Sequence, residues 1–121
     1  MDDDVSICKI CTLLLNRLGY DVDSAPCGED AIALFENAIK DGAPYRAVIL
    51  DLTVLRGMGG LETIKKLRAL DPDVYAIMAS GSSVDNMLLS YQAYGFQAIL
   101  PKPFRVQELT DCVNKLDATQ S

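Results

Sequence analysis

Two short, unbroken apolar runs, Ala47-Val48-Ile49-Leu50 and Val74 to Ala79, stand between stretches whose apolar residues recur at helical spacing. A strand that is apolar at every position is covered on both faces, as in a parallel sheet held between layers of helices. The flanking patterns agree with that reading. Ile7, Ile10, Cys11, Leu14 and Leu18 fall on one face of a first helix, which Gly19 stops. Ala31, Leu34, Phe35 and Ala38 mark a second helix, closed by Asp41-Gly42, and Leu61, Ile64, Leu67 and Leu70 a third, with Pro72 just beyond. Val84, Met87, Leu88 and Tyr91 mark a fourth, ended near Gly95, and Val106, Leu109, Val113 and Leu116 a fifth. Tyr20 to Ser24 alternates as an edge strand would, and Gln97 to Leu100 reads as a last short strand. The chain of 121 residues is one domain's worth. The alternation predicts an α/β domain over residues 1–117 with a doubly wound parallel sheet, and residues 118–121 read as a frayed tail.

The elements do not pair off evenly: five helical patterns face four strand patterns. The chain passes from Asp2-Asp3-Asp4 directly into its first helix, where a doubly wound domain should carry a central strand. The expectation is that residues upstream of Met1 supply that strand. A neighbouring chain or a rearranged sheet filling the gap is the alternative.

Composition narrows the chemistry. Eleven Lys and Arg against seventeen Asp and Glu leave a net charge of −6, which argues against a nucleic-acid or anionic-membrane binder. The sequence contains no histidine. A Ser-His-Asp triad, a Cys-His pair and a His-ligated zinc site are excluded together. Cys8, Cys11, Cys27 and Cys112 are scattered among aliphatic residues. The C-x-x-C of Cys8 and Cys11 lies within a helical pattern and has no second pair, so small core or surface thiols fit better than zinc or redox use. No run approaches the roughly 18 apolar residues of a membrane span, and Met-Asp-Asp-Asp is the opposite of a signal peptide. A soluble, reducing, cytoplasmic setting is expected.

In open parallel sheets functional groups gather at the carboxyl ends of the strands. Here those ends carry Asp51, then Ser80 and Gly81, then Lys102 between Pro101 and Pro103, while Asp2 to Asp4 would follow the expected central strand. Clustered carboxylates repel unless a hard cation joins them, and Mg²⁺ takes one or two carboxylates with waters and phosphate oxygens. A carboxylate can also act as a nucleophile and form an acyl phosphate. Phosphoryl transfer then needs charge neutralisation above all, which a cation and a lysine ammonium supply.

Taken together, Asp2-Asp3-Asp4, Gly19-Tyr20, Val48-Ile49-Leu50-Asp51, Gly57-Met58-Gly59-Gly60, Ala79-Ser80-Gly81 and Leu100-Pro101-Lys102-Pro103-Phe104 resemble the receiver domain of two-component response regulators across the whole chain. The run Gly57 to Ile64 looks most like receivers of hybrid sensor histidine kinases. The resemblance implies a flavodoxin-like strand order 2-1-3-4-5, with the first strand truncated or missing at the N-terminus. It implies Asp51 as phosphoacceptor and Asp2 and Asp3 as an acidic pair for Mg²⁺, with Asp3 the more direct ligand and Asp2 acting mostly through water. Thr53 would offer its backbone carbonyl to the metal. Ser80 would hydrogen-bond the phosphoryl group, Gly81 would add a backbone N–H, and Lys102 would pair with Asp51 or its phosphate. The Lys102–Pro103 bond would be cis. The implied partner is a sensor histidine kinase or a histidine-containing phosphotransfer domain, separate or fused. The implied output face, which could also serve a homodimer, is the fourth helix, fifth strand and fifth helix, near Met87, Tyr91, Tyr94 and Phe104. One position departs from the pattern: receivers often carry Tyr or Phe three residues before the lysine, and here Ile99 stands there.

The expected activity is Mg²⁺-dependent phosphorylation of Asp51 from a partner phosphohistidine, with slow self-hydrolysis and no turnover of external substrates. A degenerate receiver, acting as an interaction module without phosphorylation, is the alternative. A small aspartate-nucleophile phosphatase is disfavoured because Thr53 replaces the second acid such enzymes place two residues after the nucleophile. With no histidine, the domain cannot be its own phosphohistidine donor.

Overall fold

The computed structural model describes residues 1–52, 57–80, 91–102 and 104–120. Its elements run in the order α1 (Val5–Arg17), α2 (Gly28–Lys40), β1 (Ala47–Asp51), α3 (Gly60–Leu70), β2 (Tyr75–Ser80), a 3₁₀ turn (Tyr91–Tyr94), β3 (Ala98–Pro101) and α4 (Val106–Gln120). The strands form one parallel sheet in the order β1-β2-β3, with Asp51 opposite Ala79 and Ser80 opposite Pro101.

Alternate residues of each strand face opposite layers. Ala47, Ile49, Tyr75, Ile77, Ala98 and Leu100 join Leu15 of α1 and Leu109, Cys112 and Val113 of α4 in one core. Val48, Leu50, Ala76, Met78 and Ile99 join Phe35 of α2 and Ile64 and Leu67 of α3 in the other. The unbroken apolar runs are therefore buried on both faces.

Local signals set the helix ends. Asp4 caps α1: its Oδ1 accepts the Ser6 N–H at 2.9 Å and the Ile7 N–H at 3.4 Å. Gly19, at φ +93°, supplies the left-handed residue just past the end of that helix. At α2, Glu29 and Asp30 lie in the first turn, where the helix dipole favours acids.

Three expectations need correction or bounding. Residues Tyr20 to Ser24 join no sheet; the neighbour they would pair with in a 2-1-3 order is the strand expected ahead of α1, so the two outer positions of the 2-1-3-4-5 order are not formed as strands among the described residues. The segment is held instead by side chains: the Arg46 guanidinium lies 5.9 Å from the Tyr20 ring centroid, and the Tyr45 hydroxyl donates to Asp23. The last helix continues to Gln120, so residues 118–120, read as tail, are helical. The fourth helical pattern lies outside the described residues except at Tyr91, where the 3₁₀ turn begins.

Candidate functional site

Parallel pairing brings the carboxyl ends of all three strands to one edge. Asp51 is the last residue of β1 and Lys102 directly follows β3. Asp2 and Asp3 arrive from the N-terminal turn into α1. That turn is fixed by backbone contacts on both sides: Met1 N donates to Ile49 O at 2.6 Å, Asp51 N to Met1 O at 2.8 Å, and Asp2 N to Ala25 O at 3.1 Å. Neither acid is placed by its own side chain alone.

Asp2 and Asp51 are buried, at 6% and 5% exposure, which is rare for carboxylates without partners. Their charge is met by Lys102, whose Nζ lies 2.5 Å from Asp2 Oδ2 and 3.1 Å from Asp51 Oδ1. Burial alone would lower the lysine pKa. The hydrogen bonds to Asp2 and Asp51, together with their charges, outweigh that and raise it, so the ammonium is firmly held. The other oxygen of Asp2, Oδ1, accepts the Asp4 N–H at 2.9 Å.

Asp2, Asp3 and Asp51 each present a carboxylate oxygen within 4.8 Å of the others, the one such acidic group of metal-ligating side chains among the described residues. A single lysine charge sits against this group. The set is all-oxygen and anionic, which fits a hard divalent cation such as Mg²⁺. Both oxygens of Asp2 already have protein partners, consistent with its acting through water while Asp3 and Asp51 bind more directly.

The site thus brings together Asp2, Asp3, Asp51 and Lys102. Ser80 ends β2 at the same sheet edge, paired with Pro101. Thr53, Gly81 and Pro103 lie outside the described residues, and with them the Lys102–Pro103 bond, and so does Met87 of the output face. Ile99 is half-buried against the core beneath α2 and α3. Tyr94 is 40% exposed, and Phe104 packs against the core beneath α1 and α4.

Sequence reasoning missed two contributors. A Cβ at Gly60 would come 2.6 Å from the Asp51 carbonyl oxygen, so the start of α3 lies directly on the Asp51 backbone. Only the glycine-rich run hinted at this close approach. Asp4, third of the acidic triplet, is spent on capping α1, leaving Asp2 and Asp3 for the site. The C-x-x-C thiols border this region unactivated: burial pushes Cys8 up and takes Cys11 to about 11.

A family model described as response regulator receiver domain matches residues 1–114. The chain is 34% identical over 116 residues to transcriptional regulatory protein ZraR of Salmonella typhimurium, covering 95% of this chain and 25% of that protein. It is 25% identical over 115 residues to sporulation initiation phosphotransferase F of Bacillus subtilis, covering 95% and 88%. The chain spans about a quarter to a half of the length of the curated regulators it matches first. Among solved structures, the receiver domain of NtrX from Brucella abortus superposes with a TM-score of 0.85 at 26% identity, covering 98% of this chain and 95% of that one.

Proposed function

Because this chain belongs to the response regulator receiver domain family, we propose that it takes a phosphoryl group onto Asp51 from a phosphohistidine on a partner domain. The observation that carries this reading is Asp51 itself: a buried carboxylate at the end of a sheet strand, 3.1 Å from the Lys102 ammonium and within one cluster with Asp2 and Asp3.

The chemistry follows from those groups. An Asp51 oxygen attacks phosphorus as the P–N bond to the donor imidazole breaks. The imidazole nitrogen leaves with the bonding pair, and Asp51 becomes an acyl phosphate. Charge accumulates on the phosphoryl oxygens, and Lys102, already beside Asp51, turns to neutralise it. Asp2 keeps the ammonium anchored on its far side. Asp3 and Asp51, with the backbone carbonyl of Thr53, would hold Mg²⁺, whose contribution when bound is to neutralise the phosphoryl oxygens. Ser80, from its strand-end position, is assigned the hydrogen bond to the phosphoryl group, with a backbone N–H from Gly81. Water hydrolyses the acyl phosphate slowly, without turnover of any external substrate.

Sporulation initiation phosphotransferase F, similar along most of both chains, supports a phosphotransfer role. The partner is then a sensor histidine kinase or a histidine-containing phosphotransfer domain, separate or fused, because the chain has no histidine of its own. None of the described helices is long and apolar enough to cross a membrane, in keeping with a cytoplasmic site of action. The surface around Tyr94 and α4 is the candidate output and dimer face.

The test is incubation with a small acyl-phosphate donor and Mg²⁺, followed by intact-mass measurement. One phosphate equivalent on the native chain and none on Asp51→Asn is expected; equal uptake by the variant sinks the assignment.

A second reading, an interaction module that works without phosphorylation, is favoured by Ile99. This aliphatic side chain packs into the core layer, where an aromatic switch residue would be expected to turn. If beryllofluoride with Mg²⁺ changes no chemical shifts around Tyr94 and α4, that reading prevails.

A further inference from the structure

A cavity of about 790 Å³ lies along the edge of β1 that faces away from β2. Folded interiors are close-packed, and a domain of this size does not ordinarily keep an apolar void of that volume. Its walls have a definite arrangement. Cys11 and Leu15 of α1 close one face and Leu34 and Phe35 of α2 the other, with Ile49 of β1 along one side and Val22 along the opposite side. The space is therefore a slot one strand wide, between two helical layers.

The end of the slot shows which backbone it accepts. Met1 makes both bonds of a parallel rung opposite Leu50: its N–H reaches Ile49 O at 2.6 Å and its carbonyl accepts the Asp51 N–H at 2.8 Å. Asp2 N bonds Ala25 O at 3.1 Å on the other side. Met1 and Asp2 thus already lie between β1 and the 20–25 segment, as the last residues of a middle strand would. In a parallel ladder, bonding residues alternate along the strand. A residue two places before Met1 would donate to Ala47 O and accept the Ile49 N–H. From Leu50 back to Ala47 is three residues, about 10 Å at a strand's rise, so about four residues fill the slot.

We propose that this slot accepts a strand of about four apolar residues, peptide-bonded to the Met1 nitrogen and parallel to β1, which turns the 20–25 segment into a paired edge strand. Continuity with Met1 follows from the rung. An amide N–H at Met1 makes the same bond to Ile49 O that the amino group makes, whereas a separate peptide would bring a free end against that group inside an apolar slot. Apolar side chains are required on both faces because both walls are helical core layers. The inference rests on the backbone geometry and the cavity, not on the chemistry of Asp51.

The experiment compares the whole chain with two extended forms, one carrying Val-Ile-Leu-Val ahead of Met1 and one carrying Ser-Asn-Ser-Gln. Thermal unfolding and amide hydrogen exchange are followed, and the unextended chain is the reference if the polar form does not fold. The apolar extension should raise the unfolding midpoint by on the order of 10 °C and slow exchange at the Ile49 and Val22 amides. The polar extension should do neither. Equal behaviour of the two extensions overturns the proposal. So does an equal gain from an unattached, end-blocked Val-Ile-Leu-Val peptide, which would make the occupant a separate chain. The same gain is expected in Asp51→Asn, so the outcome is independent of whether Asp51 is phosphorylated.

Discussion

Lys102 holds the electrostatics of the site together. Asp2 and Asp51 are both buried, and the lysine ammonium is within hydrogen-bond distance of each. Removing one partner of a partly buried charge network leaves the others unmatched, and here two carboxylates would face each other. Lys102→Ala should destabilise the metal-free protein by about 1–3 kcal/mol, and Mg²⁺ should restore more stability to that variant than it adds to the native chain. Urea unfolding with and without Mg²⁺ measures both; equal metal effects in the two proteins would mean that lysine and cation do not share the same carboxylates. Gly60 makes the complementary case, a residue whose whole role is to be small. Its Cβ would meet Asp51 O at 2.6 Å, and backbone cannot give way as a side-chain tip can. Gly60→Ala should cost about 1–3 kcal/mol and reduce phosphoryl uptake by displacing Asp51, read as a lowered unfolding midpoint together with slower labelling. Of these residues, Asp51 and Lys102 were legible in sequence because each follows an apolar strand pattern. Gly60 was not, because its constraint is a tertiary contact that no spacing within the chain encodes. The triplet Asp2-Asp3-Asp4 was half legible: helix cap and cation site predict the same residue type, and only the bonds from Ser6 and Ile7 to Asp4 separate them.

At the scale of elements, the two central apolar runs identified β1 and β2 because a strand buried on both faces leaves little else such a run can be. Tyr20 to Ser24 shows the opposite case. Its alternation is real, with Tyr20 and Val22 packed on the core beneath α1 and α4, yet alternation describes side chains and a strand needs backbone partners. What holds the segment is side-chain chemistry, and that has a pH signature. Burial, together with the hydrogen bond to Asp23, pushes the Tyr45 phenol up to about 12. An unfolded tyrosine ionises near about 10. The folded state therefore binds the phenolic proton more tightly. The resulting stability is fully present below about pH 10, falls between about 10 and 12, and is gone above that. Lys102, also raised, adds to alkaline loss, so the comparison that isolates the contact is with Tyr45→Phe. Denaturant midpoints of the native chain should drop toward those of the variant as pH rises through that window. Parallel curves would show that Asp23 and Tyr45 contribute nothing to holding the segment.

At the scale of the molecule, the parallel sheet explains why residues a hundred positions apart form one site. Same-direction strands deliver their carboxyl ends to one edge, and the N-terminal turn delivers Asp2 and Asp3 beside them. That convergence was legible before any coordinates, because it depends only on strand direction and on which residue follows each strand. The filling of the sheet was not. The imbalance of five helical patterns against four strand patterns pointed to a gap, and only the rung at Met1 and the cavity beside β1 locate it and give its direction. The absence of histidine from the sequence sets the direction of phosphate flow at this scale, since the donor histidine has to belong to another domain or chain. The most direct measurement of the central claim is transfer of labelled phosphate, in the presence of Mg²⁺, from a phosphorylated histidine phosphotransfer domain to the native chain and to Asp51→Asn. One equivalent of base-labile label on the native chain, with none on the variant, is the predicted result; label of equal amount on both, or none on either, contradicts it.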